Sequence, residues 1–180
     1  MKLILGTVQL GIDYGIHKKK PILKQSLEIL NYCLKNKITT FDTAQNYGNC
    51  ENIISNISNQ NIKIITKINF NSKEESNHFE KILKKVHISL KNLKVKKLYT
   101  LLLHRYEDFL DKELINNLFK IRDMGLINNI GVSIYTVEEA IEVLKDERFT
   151  VIQLPFNYLD NQWKNKEFFS LIQKRNNIEI

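Results

Sequence analysis

Asp42, Tyr47, Lys67 and His104 are the side chains with which this sequence could do chemistry. Asp42 closes the β-branched run Lys37-Ile38-Thr39-Thr40-Phe41. Tyr47 follows five residues later, and Gly48 opens a helix entrance. Lys67 ends a second apolar run that begins at Ile62, and His104 ends a third after Leu102-Leu103. A phenol with a pKa near ~10 is a poor acid at neutral pH, but a neighbouring ammonium favours the phenolate and lowers that value. A carboxylate beside the ammonium keeps it charged and oriented where an isolated buried charge would be costly. Together they could protonate an oxygen on which negative charge develops, with an imidazole positioning that oxygen or sharing the proton. Taken singly, each has a plainer role: Asp42 as a strand-end cap, Tyr47 as a packed ring, Lys67 as a solvated strand edge, His104 as a satisfied core histidine.

The elements that must hold these groups alternate along the chain. Period-2 and continuous apolar runs predict strands at Leu3–Val8, Thr39–Asp42, Ile62–Lys67, Lys97–Leu103, Asn129–Ser133 and Val151–Leu154. Helical spacing predicts helices over Ile22–Leu34 with Pro21 at its first turn, over Glu51–Ile57, and from Phe79 to Leu93. It predicts another over Glu113–Met124, with Gly125 as its stop. Thr136 with Glu139 forms a capping box that opens a fifth helix, and Phe168, Phe169, Leu171 and Ile172 mark a sixth after Asn161. Ile178–Ile180 reads as the opening of a seventh strand. Apolar strands alternating with amphipathic helices imply parallel pairing with both sheet faces covered. Gly6, Gly11 and Gly15 lack the G-x-G-x-x-G spacing of an open dinucleotide-binding sheet. The expected fold is therefore α/β, a parallel (β/α)8 TIM-barrel type, incomplete, with about six β/α units and the start of strand seven. Residues 1–180 read as a single domain. In such a barrel the four groups stand at or just after consecutive strand ends, which converge on one mouth.

Composition narrows the function classes. The content of 43% hydrophobic and 26% charged residues suits a globular domain that buries a core. The net charge of +7 comes from 27 basic residues, nearly all lysine, scattered among glutamates; only Lys18-Lys19-Lys20 is clustered, and no aromatic-interleaved basic stripe accompanies it. No nucleic-acid partner is expected. No signal-peptide pattern and no run of about 18 apolar residues is seen, so no membrane association and a cytoplasmic location are expected. Cys33 and Cys50 lack paired metal spacing, and His17, His78 and His87 lack acidic or cysteine partners at ligand spacing, so no metal site is expected.

The order of motifs resembles the aldo/keto reductase family. D-T-A-x-x-Y-G-x-x-E is complete from Asp42 to Glu51, Thr66-Lys67 follows an isoleucine strand, and Leu102-Leu103-His104 follows the next. Gly6-Thr7-Val8-Gln9-Leu10-Gly11 with Tyr14-Gly15, Gly131-Val132-Ser133, and Gln153-Leu154-Pro155-Phe156-Asn157 fit as well, so the resemblance covers the whole chain from its start. It implies an NAD(P)H-dependent reductase that transfers a hydride to an aldehyde or ketone, with Asp42, Tyr47, Lys67 and His104 as the catalytic set and Tyr47 as general acid. It further implies NADPH or NADH as cofactor, with Ser133 and Gln153 on the nicotinamide carboxamide and Thr7 in the strand-one loop beside it. The substrate would be a small carbonyl compound, with a sugar-like one worth testing. One departure is visible: the family commonly has Ser-Asn where this chain has Ser133-Ile134. Another is length, since a barrel of this type takes about 250 residues and often builds its phosphate site from the loops after strands seven and eight. Two alternatives stay open: a shortened, catalytically impaired partial barrel that self-associates through open edges, and a metal-dependent hydrolase using Asp42 and His104, which Lys67 would disfavour.

Overall fold

Six short apolar runs become strands that pair only in parallel and in chain order. They are β1 (Leu5–Gly6), β2 (Thr40–Asp42), β3 (Lys63–Ile68), β4 (Leu98–Leu103), β5 (Ile127–Ser133) and β6 (Val151–Gln153). This is a computed structural model, and it describes residues 2–16, 19–57, 61–70 and 79–180. His17, Lys18 and His78 lie outside the described residues. Helices α1 (Val8–Gly11), α2 (Leu23–Lys35), α3 (Cys50–Ile54), α4 (Phe79–Leu93), α5 (Tyr106–Phe109), α6 (Lys112–Asp123), α7 (Val137–Lys145) and α8 (Lys166–Lys174) connect or follow the strands. The longer ones present a single apolar face: on α4, Ile82, Val86, Leu90 and Leu93 recur at helical spacing, and all are buried.

The sheet is curled into a half-barrel. On a flat sheet β2 and β6 would be four strand spacings, ~19 Å, apart. Here the Gln153 side chain of β6 donates a hydrogen bond to Asp42 of β2 at 3.0 Å. The strand period of two sorts side chains between the faces. Ile65, Leu102 and Val151 form a small cluster on the inner face, while Ile64, Leu101, Leu103, Ile130 and Val132 join the main core between the sheet and its helices. Counting by twos from Ile65 and Val151 brings Lys67 and Gln153 onto the inner face at the C-terminal strand ends, and the register that pairs Ser133 with Gln153 brings Ser133 there too.

The expected fold class is what the structure shows, with local differences. β1 ends at Gly6: Thr7 still donates its N–H to the Asp42 carbonyl, and the chain then turns into α1, so Val8 is helical. The second predicted helix is split into α3 and a tighter 3-10 turn, Ser55–Ile57. α5 was not anticipated. The predicted seventh strand is a single bridge: Glu179 pairs in parallel with Val151, its N–H donating to the Thr150 carbonyl and its carbonyl accepting from Ile152.

Candidate active site

Parallel register and strand period place the acid of β2 and the amine of β3 on one face. The Lys67 ammonium donates to both Asp42 carboxylate oxygens, at 2.6 and 2.7 Å, and to the Thr43 carbonyl at 3.2 Å. Lys67 is only 3% exposed. Burial draws its pKa below the usual lysine value, with Asp42 opposing. The Asp42 backbone is fixed as well, because its carbonyl accepts from both the Thr7 N–H and the Thr7 hydroxyl. Thr7 is buried at 1% exposure and does not line the cavity described below. Its hydroxyl and N–H both tie β1 to the Asp42 backbone.

Tyr47 lies in the turn after β2. That turn depends on glycine: Gly48 has φ +60°, and a Cβ there would come within 2.5 Å of the Gly11 carbonyl. The Tyr47 ring meets His104 edge-on, with centroids 5.9 Å apart. Lys67 Nζ lies 5.4 Å from the centre of the same ring. Lys67 was expected to draw the phenol's pKa down. Instead, burial and then the Asp42 carboxylate push it up to about 12. Lys67 makes no hydrogen bond to the phenol, since Asp42 and Thr43 accept its three donors. The carboxylate also offsets the lysine charge that the phenol would feel. His104 is pulled below the usual histidine value, first by burial and then by Lys67, which favours the neutral imidazole. Its Nδ1 is buried without a hydrogen-bond partner.

These groups share one cavity of about 260 Å³, lined by Asp42, Tyr47, Lys67, His104, Ser133 and Gln153, with Ile134, Tyr135, Leu154 and Pro155 completing its wall. Six of the seven residues singled out from the sequence are thus brought together, Thr7 being the exception. Ile134, where a polar residue was expected, is 1% exposed and packs into the main core. Sequence reasoning missed the layer behind β3. Glu51, 2% exposed, accepts from the Thr66 hydroxyl at 2.8 Å and from Asn92 at 3.0 Å, tying α3, β3 and α4 together next to Lys67. Gln45 reaches across to α4, donating to the Lys85 carbonyl and the Ser89 hydroxyl. Glu51 was legible as the last residue of the D-T-A-x-x-Y-G-x-x-E motif, but not its partners Thr66 and Asn92. Gln45 gave no signal.

The chain is similar to known reductases. It is 29% identical over 157 residues to the uncharacterized oxidoreductase YcsN of Bacillus subtilis, an alignment covering 76% of this chain and 49% of that protein. The aldo-keto reductase AKR11C1 of Bacillus halodurans, in its holo form, superposes with a TM-score of 0.76 at 23% identity, covering 97% of this chain and 59% of that one. An aldo-keto reductase of Klebsiella pneumoniae in complex with NADPH gives 0.74 at 18% identity, covering 96% and 60%. This chain therefore spans about half the length of the curated relative, and these structural similarities bear on the fold. Residues 2–180 match the model of the aldo/keto reductase family, and the chain belongs to that family.

Proposed function

We propose that this chain carries the proton chemistry of an NAD(P)H-dependent aldo/keto reductase, reducing an aldehyde or ketone with Tyr47 as general acid. Residues 1–180 would act as one reductase-like domain. The observation that carries this reading is the single cavity in which a phenol, an imidazole and a buried ammonium–carboxylate pair stand together. A cavity of about 260 Å³ lies just below the roughly 300–1,000 Å³ of ordinary ligand sites, so it suits the reacting ends of cofactor and substrate rather than a whole dinucleotide. Ser133 and Gln153 offer a hydroxyl and a carboxamide on its wall, which fits a nicotinamide carboxamide, while Ile134 offers that group no side-chain hydrogen bond. A bound nicotinamide would supply the hydride. NADPH is the first cofactor to test, since the Klebsiella relative was solved with it.

With its pKa near 12, Tyr47 keeps its proton at neutral pH and can donate it to the oxygen that gains charge. Neutral His104 can hold that oxygen in place from the other side. The Lys67–Asp42 pair would hold the wall beside the phenol ring fixed, with Lys67 Nζ 5.4 Å from the ring centre, while its two charges largely offset each other. The test is NADPH oxidation with a panel of small aldehydes, ketones and open-chain sugars, comparing the protein with Tyr47→Phe. The variant is expected to keep its circular dichroism and its NADPH titration while the rate falls by about 10²–10⁴-fold. Equal rates would remove Tyr47 from the reaction.

A second reading has its own observation. The inner face between β1 and β6 is apolar and open, so the chain could be an impaired partial barrel that becomes competent only when another chain covers that face. A chain that turns over no carbonyl in this panel would favour the second reading.

A further inference from the structure

Gln153 stands on the cavity wall beside Ser133, where the reading above makes it a ligand-holding group, yet its side chain is already engaged elsewhere. Its Nε2 donates to Asp42 Oδ1 at 3.0 Å, across the curled sheet and 111 residues along the chain. The same Oδ1 accepts from Lys67 Nζ at 2.6 Å, so one carboxylate oxygen carries both donors. The Gln153 backbone is anchored independently, because its carbonyl accepts from the Ile134 N–H at 2.9 Å and its register is set opposite Ser133. The amide is therefore delivered to Asp42 by strand pairing rather than by a flexible loop.

We propose that Gln153 is a positioning residue for the Asp42–Lys67 pair: it fixes the carboxylate from the opposite side of the half-barrel and tunes the charge that Lys67 feels. This inference rests on the same site as the proposed function but concerns the protein without any ligand. The physical effect has a definite sign. An N–H donor on Asp42 Oδ1 disperses the carboxylate charge and directs its own positive end toward the pair. Taking it away concentrates negative charge beside Lys67 and holds its proton more firmly. The other groups that act on Lys67 or share its cavity are Tyr47 after β2, Cys50 of α3, His104 after β4 and Tyr135 after β5, while Asp108 of α5 acts on His104. The substitutions below leave all of them in place.

The experiment follows the Lys67 side-chain ammonium by NMR through a pH titration of the unliganded protein, the signal being identified by its loss in Lys67→Met. In Gln153→Met, which keeps the length of the side chain and removes the amide, Lys67 is expected to titrate at higher pH than in the unsubstituted protein. Gln153→Glu is expected to move it further in the same direction, because a second carboxylate then faces it. Ser133→Ala, on the same wall with no hydrogen bond to Asp42, is expected to leave it where it was. A Lys67 titration that coincides in the protein and both Gln153 variants would overturn the proposal and leave Gln153 as a ligand contact only, recognisable by a raised KM for NADPH at unchanged kcat. Because the titration needs neither cofactor nor turnover, a protein without reductase activity would still decide it.

Discussion

At the scale of single residues, the site depends on a buried charge whose partner cannot be removed without cost. Lys67→Met leaves Asp42 without its cation, and breaking a buried pair costs about 3–5 kcal/mol. The low end is expected here, since the Asp42 side chain retains 15% exposure. Denaturant unfolding should show that loss, and the double variant Asp42→Asn, Lys67→Met should recover most of it. His104 sets a pH dependence. Its folded pKa lies below the usual 6.5, so between those two values the unfolded chain binds more protons than the folded one. Stability is therefore full above 6.5 and falls as pH drops through that window, and His104→Gln should flatten the slope. Tyr47 acts at the other end: its raised pKa makes stability constant below its ordinary value of 10.0 and erodes it as pH climbs toward about 12. The identities of these residues could be read from their order along the chain. The direction of the Tyr47 shift could not, because it depends first on how deeply the ring is buried and then on how near the Asp42 carboxylate lies, which only the folded chain sets.

At the scale of elements, the turn after β2 holds Tyr47 by close backbone approach. Gly48→Ala places a Cβ 2.5 Å from the Gly11 carbonyl at a φ of +60°, and strain of this kind costs about 1–3 kcal/mol. A lower melting temperature together with a lower rate is expected; unchanged values of both would show that the α1 segment yields freely. Punctuation residues were the most legible part of the sequence. Thr136 and Glu139 form the expected capping box, the threonine hydroxyl accepting from the Glu139 N–H at 3.3 Å and the glutamate from the Thr136 N–H at 3.2 Å. Gly125 has φ +85° just past the end of α6, as its place in the pattern implied. α5 and the 3-10 turn at Ser55–Ile57 were not legible, since pieces of three or four residues are too short to show a period.

At the scale of the whole molecule, the inner face of the half-barrel is open and apolar. A cavity of about 500 Å³ is lined there by Ile65, Leu102, Val151, Trp163, Phe168 and Ile180, and Leu3, Ile4, Phe156, Leu159 and Phe169 stand exposed. Such a face with an open strand edge invites association. The purified 180-residue protein is expected to sediment as more than a monomer, and Ile4→Glu with Phe169→Glu is expected to shift it toward the monomer. Tight NADPH binding by a monodisperse monomer would show that the face needs no cover. No helix among the described residues is long and apolar enough to cross a membrane.

The parallel β/α order, the helix stops and the acid, phenol, amine and imidazole at successive strand ends all follow from periods of 2 and 3.6 and from local turn chemistry, which a linear sequence displays. Three features needed the folded chain. Thr7 holds the Asp42 backbone because strand pairing aims its hydroxyl at the Asp42 carbonyl. Glu51 became a buried tie between three elements because β3 presents Thr66 outward while it presents Lys67 inward. Gln153 met Asp42 because the sheet curls, and no local pattern records the distance between residues 111 positions apart. Curvature is the sum of small twists over six strands, each set by packing against its neighbours, so the contacts it creates exist only once the whole sheet has formed.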